Sequence, residues 1–205
     1  MKHYSQYNEE DFLLKYFNNK NNGILIDIGA ADGKTNSNSR YLLEFLNWSG
    51  ILIEPHPEYY KLLFDLYNGN NNIKLYNIGI YNKEVVLPFY RFGTVEEGQV
   101  STFSESFKTR VEGHHDNKYS ESINIECNTI ANILKQNNLF DIDFMTLDCE
   151  GLDMEVLDSN EWDTFRPKLI CIEHSMDKTT LSNFMSSKNY IKIHETIGNS
   201  FYETK

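Results

Sequence analysis

The chain contains the stretch Gly23-Ile24-Leu25-Ile26-Asp27-Ile28-Gly29-Ala30-Ala31-Asp32-Gly33, and this stretch decides the fold. Its apolar run predicts a buried β-strand, and the glycines after the run predict a tight turn. A second apolar run, Gly50-Ile51-Leu52-Ile53, ends on Glu54 at the distance of one strand–helix–strand unit. Glycine lets the backbone approach a ligand closely, and an acid after the second strand can accept hydrogen bonds from ribose hydroxyls. The two runs together predict a nucleoside-cofactor site.

The glycine spacing separates the possible cofactors. The dinucleotide fingerprint G-x-G-x-x-G places a pyrophosphate at a helix N-terminus. Here the pattern is Asp27-x-Gly29-x-x-x-Gly33, with Ala31 in place of the glycine that lets pyrophosphate approach, and with Asp32 as a second acid. Acids repel a pyrophosphate but suit a ligand that carries an ammonium or a sulfonium, so the pattern favours S-adenosylmethionine. A turn that needs glycine for purely structural reasons gives the same spacing, and the position of Glu54 argues against that alternative.

Length and composition fit one folded domain. The chain has 205 residues, of which 40% are hydrophobic and 14% aromatic, enough to bury a full core. We therefore expect a single domain over residues 1–205. No stretch approaches the roughly 20 apolar residues that span a bilayer. The N-terminal residues carry no apolar signal segment, and we expect a cytoplasmic protein.

The charge argues against a nucleic-acid partner. The net charge is −11, and nucleic-acid binding needs a basic surface. We therefore do not expect nucleic acid as a partner.

Predicted strands alternate with predicted helices, which indicates an α/β fold with a mostly parallel sheet. The predicted strands cover residues 23–28, 51–54, 73–77, 84–92, 123–127, 142–148 and 169–173. The predicted helices include residues 11–17, 35–46, 129–137, 152–157 and 181–187. Residues 190–194 and 200–203 predict an antiparallel C-terminal hairpin. Residues 93–122 show no clear periodicity, and a connection of this length is typical of a lid or an acceptor-binding loop.

Acids and amides cluster where the predicted parallel strands end, and ligands bind beyond that edge in open α/β sheets. Asp148 and Glu150 follow one strand, and side chains two residues apart in a strand share a face. They could hold the amino-acid portion of a cofactor, act as a general base, or bind a divalent cation such as Mg²⁺. For Glu150, an acid that stabilises a helix N-terminus is the structural alternative.

His174 ends the next strand, directly after Glu173. Its ordinary pKa of about 6.5 makes it a candidate base, although a single histidine often has a structural role.

Several motifs together resemble those of the FkbM-type S-adenosylmethionine-dependent methyltransferases. The most specific is the D-x-E-G block with a following E-V-L. The matching residues are Ser5-Gln6-x-x-Glu9, residues 26–33, Ser37-Asn38, residues 48–55, residues 142–151, Glu155-Val156-Leu157 and Ile172-Glu173-His174.

This resemblance implies a class I methyltransferase fold, a Rossmann-like and mostly parallel seven-stranded sheet flanked by helices. It also implies methyl transfer to a hydroxyl of a sugar or another natural product. Glu54 would hold the ribose, residues 77–78 would approach the adenine, and Asp148 with Glu150 would lie near the reacting centre. The implied cofactor-binding residues are Asp27, Gly29, Ala30, Gly33, Ser37, Asn38, Glu54, Pro55, Asn77, Ile78 and Asp148. The candidate catalytic residues are Glu150, Asp148 and His174.

Three other functions stay open at this point. A nicotinamide-dependent short-chain reductase needs Tyr-x-x-x-Lys after the glycine loop, but that spacing occurs only at Tyr16 and Lys20, which precede it. A non-catalytic protein could keep the fold and bind S-adenosylmethionine without turnover. A methyltransferase that acts on protein or nucleic acid is the third alternative, and the acidic charge argues against nucleic acid.

Overall fold

A computed structural model describes residues 3–92, 100–112, 119–174 and 177–205. The strands in these residues are β1 (Ile24–Ile28), β2 (Ser49–Ile53), β3 (Ile73–Tyr76), β4 (Gly79–Ile80), β5 (Val85–Phe92), β6 (Tyr119–Asn128), β7 (Phe144–Leu147), β8 (Leu169–Glu173), β9 (Tyr190–Glu195) and β10 (Asn199–Thr204). The helices are α1 (Glu9–Tyr16), α2 (Arg40–Phe45), α3 (Pro57–Tyr67), α4 (Glu105–Glu112), α5 (Ile130–Gln136), α6 (Asp153–Asp158) and α7 (Lys178–Ser187).

The larger sheet has seven strands in the order β3-β2-β1-β7-β8-β10-β9. Strands β3, β2, β1, β7 and β8 pair in parallel, and β10 pairs antiparallel with both β8 and β9. The predicted fold class is therefore confirmed, including the antiparallel C-terminal hairpin.

Helices cover both faces of this sheet, which explains why its central strands are continuous apolar runs. Successive side chains point to opposite faces. Ile26, Met145 and Ile170 pack in one core cluster with residues of α5, α6 and α7. Leu25 and Phe144 pack in another, with residues of α1, α2 and α3. Because β1, β2, β7 and β8 run parallel, their carboxyl ends lie at the same edge of the sheet.

A second, smaller sheet has the order β4-β6-β5. Strands β5 and β6 form an antiparallel pair, and β4 runs parallel to β6. The sequence predicts strands at residues 84–92 and 123–127, close to β5 and β6. It does not predict that these strands form a separate sheet.

The prediction of a helix from residue 35 is wrong at its start, because α2 begins at Arg40. The preceding polar side chains make tertiary contacts instead of continuing the helix. Ser39 Oγ donates to an Asp27 carboxylate oxygen, Asn38 Nδ2 donates to Thr146 Oγ1, and Asn36 has a left-handed backbone with φ +56°.

The segment 93–122 is less irregular than its sequence indicates. It contains α4, and β6 begins at Tyr119. Phe107 and Val111, one helical turn apart, are buried against Phe92. A helix this short, with charged residues around two apolar ones, shows no periodicity that a sequence pattern could detect. Residues 93–99 and 113–118 of the predicted loop lie outside the described residues.

None of the helices in the described part of the chain has the length and apolar character needed to cross a membrane.

Candidate functional site

A cavity of about 390 Å³ lies at the carboxyl ends of β1, β2 and β7. This volume falls in the range of about 300–1,000 Å³ that is typical of small-molecule and cofactor sites. Many of the residues predicted from the sequence line it. These are Asp27, Gly29, Ala30, Ser37, Asn38, Glu54, Pro55, Ile78, Asp148 and Glu150.

The glycine turn (residues 29–33) forms one side of the cavity. Gly29 has φ +87°, and a Cβ atom there would lie 1.9 Å from the backbone oxygen of Asp148. The N–H groups of Gly29 and Ala30 both donate to the carbonyl oxygen of Ile53, each at 3.0 Å. Ala31 is left-handed, with φ +47°, an unfavourable backbone for a residue with a side chain. Backbone conformations of this kind persist where surrounding contacts hold them.

Glu54 supplies such contacts to the glycine turn. One of its carboxylate oxygens accepts a hydrogen bond from Ala31 N–H at 2.8 Å, and the other accepts one from His56 N–H at 2.7 Å. Asn77, which directly follows β3, holds the backbone after β2, because its Nδ2 donates to the carbonyl oxygens of Glu54 and Pro55. The acid at the end of β2 therefore connects the ends of two strands.

Asp27 and Glu54 are buried carboxylic acids with raised pKa values. Burial raises the pKa of Asp27 from 3.8 to about 6, although a hydrogen bond from Ser39 acts in the opposite direction. Burial also raises the pKa of Glu54 from 4.5 to about 7, opposed by the two backbone N–H donors. Both acids therefore change charge near neutral pH.

The carboxylate cluster (Asp148, Glu150 and Glu173) lines the same cavity, next to the glycine turn. Oxygen atoms from the three side chains lie within 4.8 Å of one another. The Asp148 side chain is exposed where it lines the cavity, and the protein around the cavity partly desolvates it. This desolvation raises the pKa of Asp148, and the charges of Glu173 and Glu150 raise it further. Desolvation likewise raises the pKa values of Glu150 and Glu173.

The acidic turn (residues 148–151) holds two of these carboxylates in place. Glu150 and Gly151 are both left-handed, with φ +48° and +94°. Asp153, at the start of α6, accepts a hydrogen bond from Cys149 N–H at 3.1 Å. Thr102 Oγ1 donates to the carbonyl oxygen of Glu150 at 2.7 Å. Contacts from two other parts of the chain therefore stabilise an unusual turn.

Three of the predicted residues do not line the cavity. Gly33, with φ +67°, ends the glycine turn against Leu63, where a Cβ atom would lie 2.5 Å from a methyl group. Asn77 supports the end of β2 from outside. His174 is half-buried, with Nδ1 at 3.1 Å from the carbonyl oxygen of Ile197 and Nε2 at 2.8 Å from Ser200 Oγ.

Several lining residues were not among the predicted site residues. Glu173 could have been selected, because it ends the strand beside β7. Others come from the N-terminal segment, from the start of α3, from the small sheet with the segment after it, and from β10. Apart from Gln6, which belongs to the Ser5-Gln6-x-x-Glu9 match, no local pattern marks them. They include Gln6, His56, Tyr59, Phe89, Thr102, Phe103 and Asn199.

The described lining contains acids but no lysine or arginine. Its only histidine, His56, stays neutral, because burial first and the Arg91 charge second lower its pKa to about 4. Such a lining does not suit a pyrophosphate. It fits S-adenosylmethionine, which carries an ammonium and a sulfonium and presents ribose hydroxyls to an acid.

The sequence model of the family described as "Methyltransferase FkbM domain" matches residues 27–192. The chain belongs to the FkbM methyltransferase family. The match begins at Asp27, the first acid of the cavity, and includes both the glycine turn and the acidic turn. No curated protein sequence matches the chain.

Solved structures agree with the class I methyltransferase fold of this FkbM domain. Methyltransferase FkbM from Methylobacillus flagellatus KT is 16% identical with a TM-score of 0.54, and the match covers 90% of this chain and 44% of that chain. The METTL16 methyltransferase domain is 9% identical with a TM-score of 0.56, covering 96% of this chain and 66% of that chain. Precorrin-6y C5,15-methyltransferase from Geobacter metallireducens GS-15 is 12% identical with a TM-score of 0.51, covering 100% of this chain and 92% of that chain.

At these identities the likeness establishes the fold alone. The FkbM domain described here spans less than half of the Methylobacillus flagellatus protein.

Proposed function

We propose that this chain is an S-adenosylmethionine-dependent methyltransferase that methylates a hydroxyl of a sugar or another small acceptor, and that residues 1–205 act as one methyltransferase domain. One observation carries the proposal. A single cavity is lined by the glycine turn with Glu54 and, next to that turn, by the carboxylate cluster. The first suits the cofactor, and the second supplies a base beside it.

The cofactor side is assigned from residues that face the cavity. Glu54 would accept hydrogen bonds from the ribose hydroxyls, and Ile78 would contact the adenine. Asp27 and Asp148 would face the ammonium and sulfonium groups, and Ser37 and Asn38 line the same cavity. A carboxylate is favoured in its charged form by a neighbouring cation, so a bound ammonium would lower the raised pKa of Asp27.

The acceptor side is assigned to the carboxylate cluster. When bound, S-adenosylmethionine supplies a methyl group on a sulfonium, and its leaving group is neutral and needs no proton. A sugar hydroxyl is a poor nucleophile at neutral pH, so a base near it accelerates the reaction. We assign this role to Glu150, which accepts the hydroxyl proton, with Asp148 and Glu173 beside it. Glu150 acts as a base in its ionised form, and His174 is not assigned a role because it does not line the cavity.

The small sheet supports a carbohydrate acceptor. Phe103 lines the cavity and is half-buried, and the buried Phe89 of β5 packs against it with ring centroids 4.6 Å apart. Aromatic faces offer an apolar surface for the C–H groups of a sugar ring, while carboxylates accept hydrogen bonds from its hydroxyls. The segment 93–122, which includes Phe103 and α4, is proposed to select the acceptor.

Mg²⁺ stays a prediction for this site. Carboxylate oxygens are the ligands that Mg²⁺ prefers, and Asp148 with Glu150 are the candidates from the sequence. No step of the proposed reaction depends on the cation.

Calorimetry tests the cofactor assignment first. The wild-type protein is titrated with S-adenosylmethionine, S-adenosylhomocysteine and NADH, with and without Mg²⁺. Binding of the two sulfur ligands without binding of NADH supports the proposal. Absence of binding by both sulfur ligands overturns it. A strong effect of Mg²⁺ on affinity supports Asp148 and Glu150 as ligands.

Turnover then tests the base. Sugars and other small hydroxyl acceptors are screened for methylation, and Glu150→Gln is compared with Glu161→Gln, whose parent residue forms an ion pair with Lys135 on the surface. We expect Glu150→Gln to keep cofactor binding and lose turnover by about 10²–10⁴-fold, the usual contribution of a general base. Unchanged turnover would remove Glu150 from that role. Binding of cofactor with no methylated acceptor would favour the non-catalytic alternative.

A further inference from the structure

We propose that Thr102 is a positioning residue, whose side-chain hydroxyl fixes the backbone of Glu150 and so aims the Glu150 carboxylate into the cavity. This inference rests on the proposed function, because it assigns a partner to the proposed base. Thr102 belongs to the segment between the small sheet and α4 and is distant in sequence from the acidic turn.

The hydroxyl of Thr102 is fully engaged. It donates to the carbonyl oxygen of Glu150 at 2.7 Å and accepts a hydrogen bond from Ser104 N–H at 2.9 Å. Thr102 is 1% exposed, so water does not compete for these bonds. Its backbone is also fixed, because it exchanges two hydrogen bonds with Tyr90 of β5, at 2.7 and 3.0 Å. The donor that reaches Glu150 is therefore attached to the small sheet.

The residue that receives this bond needs support. Glu150 has φ +48°, a left-handed backbone that is unfavourable for a residue with a side chain. If the backbone of Glu150 were extended or right-handed helical, its side chain would point in another direction. A hydrogen bond to its own carbonyl oxygen opposes rotation of the adjoining peptide. Thr102 thereby favours the conformation that brings Glu150 near Asp148 and Glu173.

A second contact from the same segment acts on the next residue. Phe107 of α4 packs over Gly151, where an added Cβ atom would lie 2.8 Å from the Phe107 ring. Ser104 fixes the start of α4, since its Oγ accepts a hydrogen bond from Phe107 N–H at 3.2 Å. The hydroxyl of Thr102 and the ring of Phe107 therefore hold two successive left-handed residues. Only the Thr102 contact is made to Glu150 itself.

The test uses a spectroscopic signal of Glu150, which needs neither cofactor nor acceptor. Protein labelled with ¹³C at glutamate side-chain carboxyls is prepared as wild type, Thr102→Val, Thr102→Ala and Thr102→Ser, and Glu150→Gln assigns the resonance. Thr109→Val is the matched control, because Thr109 Oγ1 also donates to a backbone carbonyl, that of Glu105 at 2.9 Å, on the exposed side of α4. Ser104→Ala loosens α4 while leaving the Thr102 hydroxyl in place.

We expect Thr102→Val and Thr102→Ala to move the Glu150 resonance, and Thr102→Ser to restore it. Thr109→Val and Ser104→Ala should leave it near its wild-type position. The proposal is overturned if both hydroxyl-deficient variants keep the wild-type resonance, or if Thr102→Ser moves it as far as Thr102→Val. Measuring two hydroxyl-deficient variants keeps the test decisive when one of them fails to fold.

Kinetics separates positioning from a purely structural role. With an acceptor in hand, Thr102→Val should lower kcat by about 10- to 100-fold, as a misplaced catalytic group does, while the KM for S-adenosylmethionine stays within about twofold. An equal loss of cofactor binding would indicate general damage and overturn the proposal. Failure of the wild type to bind cofactor would overturn the proposed function alone, since the resonance of Glu150 reports its position without any ligand.

Discussion

The carboxylate of Glu54 accepts a hydrogen bond from the backbone N–H of Ala31 at 2.8 Å, so the acid that ends β2 holds the turn that follows β1. Its other oxygen accepts from His56 N–H at 2.7 Å. Glu54 is 6% exposed, and both of its oxygens are engaged before any ligand binds. A carboxylate oxygen has two lone pairs, so each can still accept from a ribose hydroxyl. Glu54 therefore orders the turn and also offers acceptors to a ligand.

Glu54→Gln should weaken cofactor binding. Glutamine keeps one acceptor oxygen but presents an NH₂ group to one of the two backbone N–H donors, which is left unpaired. An unpaired buried donor costs about 1–3 kcal/mol, which corresponds to a loss of about 5- to 150-fold in affinity when the ordered turn is what binds. Calorimetry with S-adenosylhomocysteine measures the loss. Glu161→Gln on the surface should bind like wild type, and equal affinities for the two variants would contradict the role of Glu54.

The free energy of unfolding should fall as the pH rises toward neutrality. The pKa of Glu54 is 4.5 in the unfolded chain and about 7 in the folded protein, and that of Asp27 is 3.8 and about 6. Between the unfolded and folded pKa values, the folded protein binds more protons than the unfolded chain. The stability that these acids contribute is therefore complete below the unfolded pKa and is lost as the pH rises through the folded pKa. Each unit of pKa difference corresponds to about 1.4 kcal/mol.

Urea unfolding of the ligand-free protein at pH 5 and pH 8 checks this sign. The protein should be more stable at pH 5 as far as these two acids are concerned, and Glu54→Gln should reduce the difference between the two pH values. A difference that is unchanged in Glu54→Gln would show that Glu54 does not titrate as its burial indicates.

The sequence predicts which residues at the strand ends line the cavity, because this information is local. A buried parallel strand is a continuous apolar run, and the residue after it lies at the carboxyl edge of the sheet. Asp27, Gly29 and Glu54 follow from this rule, as do Asp148 and Glu150. Glu173 obeys the same rule.

The lining residues from the small sheet and the segment after it could not be predicted in the same way. Phe89 and Thr102 reach the cavity only because β5 pairs with β6 and because Thr102 exchanges hydrogen bonds with Tyr90. These are long-range pairings that leave no periodic signal in the chain. His174 is the reverse, a candidate from the sequence that does not line the cavity. Its position after a strand makes it a candidate, but its ring is engaged by Ser200 and by the backbone of Ile197 in the adjacent hairpin.

Gly29→Ala and Gly69→Ala form a matched pair that tests the close approach at the glycine turn. Both glycines are left-handed, with φ +87° and +92°, so each alanine has a similar backbone cost of about 1–2 kcal/mol. At Gly69 nothing lies within 4 Å of the added Cβ atom, whereas at Gly29 it would lie 1.9 Å from the backbone oxygen of Asp148. Gly29→Ala must therefore also displace the acidic turn.

We expect Gly69→Ala to lower the free energy of unfolding in urea only by the cost of the left-handed backbone, and to bind S-adenosylhomocysteine like wild type. Gly29→Ala should lose about 1–3 kcal/mol more, the size of an overpacked core substitution, together with ligand binding. Equal losses of stability in the two variants would show that the contact between Gly29 and Asp148 relaxes without cost.

Glu9→Gln should destabilise the protein and detach its N-terminal segment. Glu9 is fully buried, and its carboxylate accepts hydrogen bonds from Tyr7 N–H at 2.8 Å, Thr196 Oγ1 at 2.9 Å and Asn199 Nδ2 at 2.8 Å. Tyr7 N–H is bound by one oxygen and the other two donors by the second, so glutamine leaves at least one donor facing an NH₂ group. We expect a loss of about 1–3 kcal/mol in urea unfolding and faster proteolysis before α1. Because Asn199 also lines the cavity, affinity for S-adenosylhomocysteine should fall as well. Wild-type stability and wild-type resistance to protease in Glu9→Gln, with Glu161→Gln as the surface reference, would show that these three hydrogen bonds do not hold the segment in place.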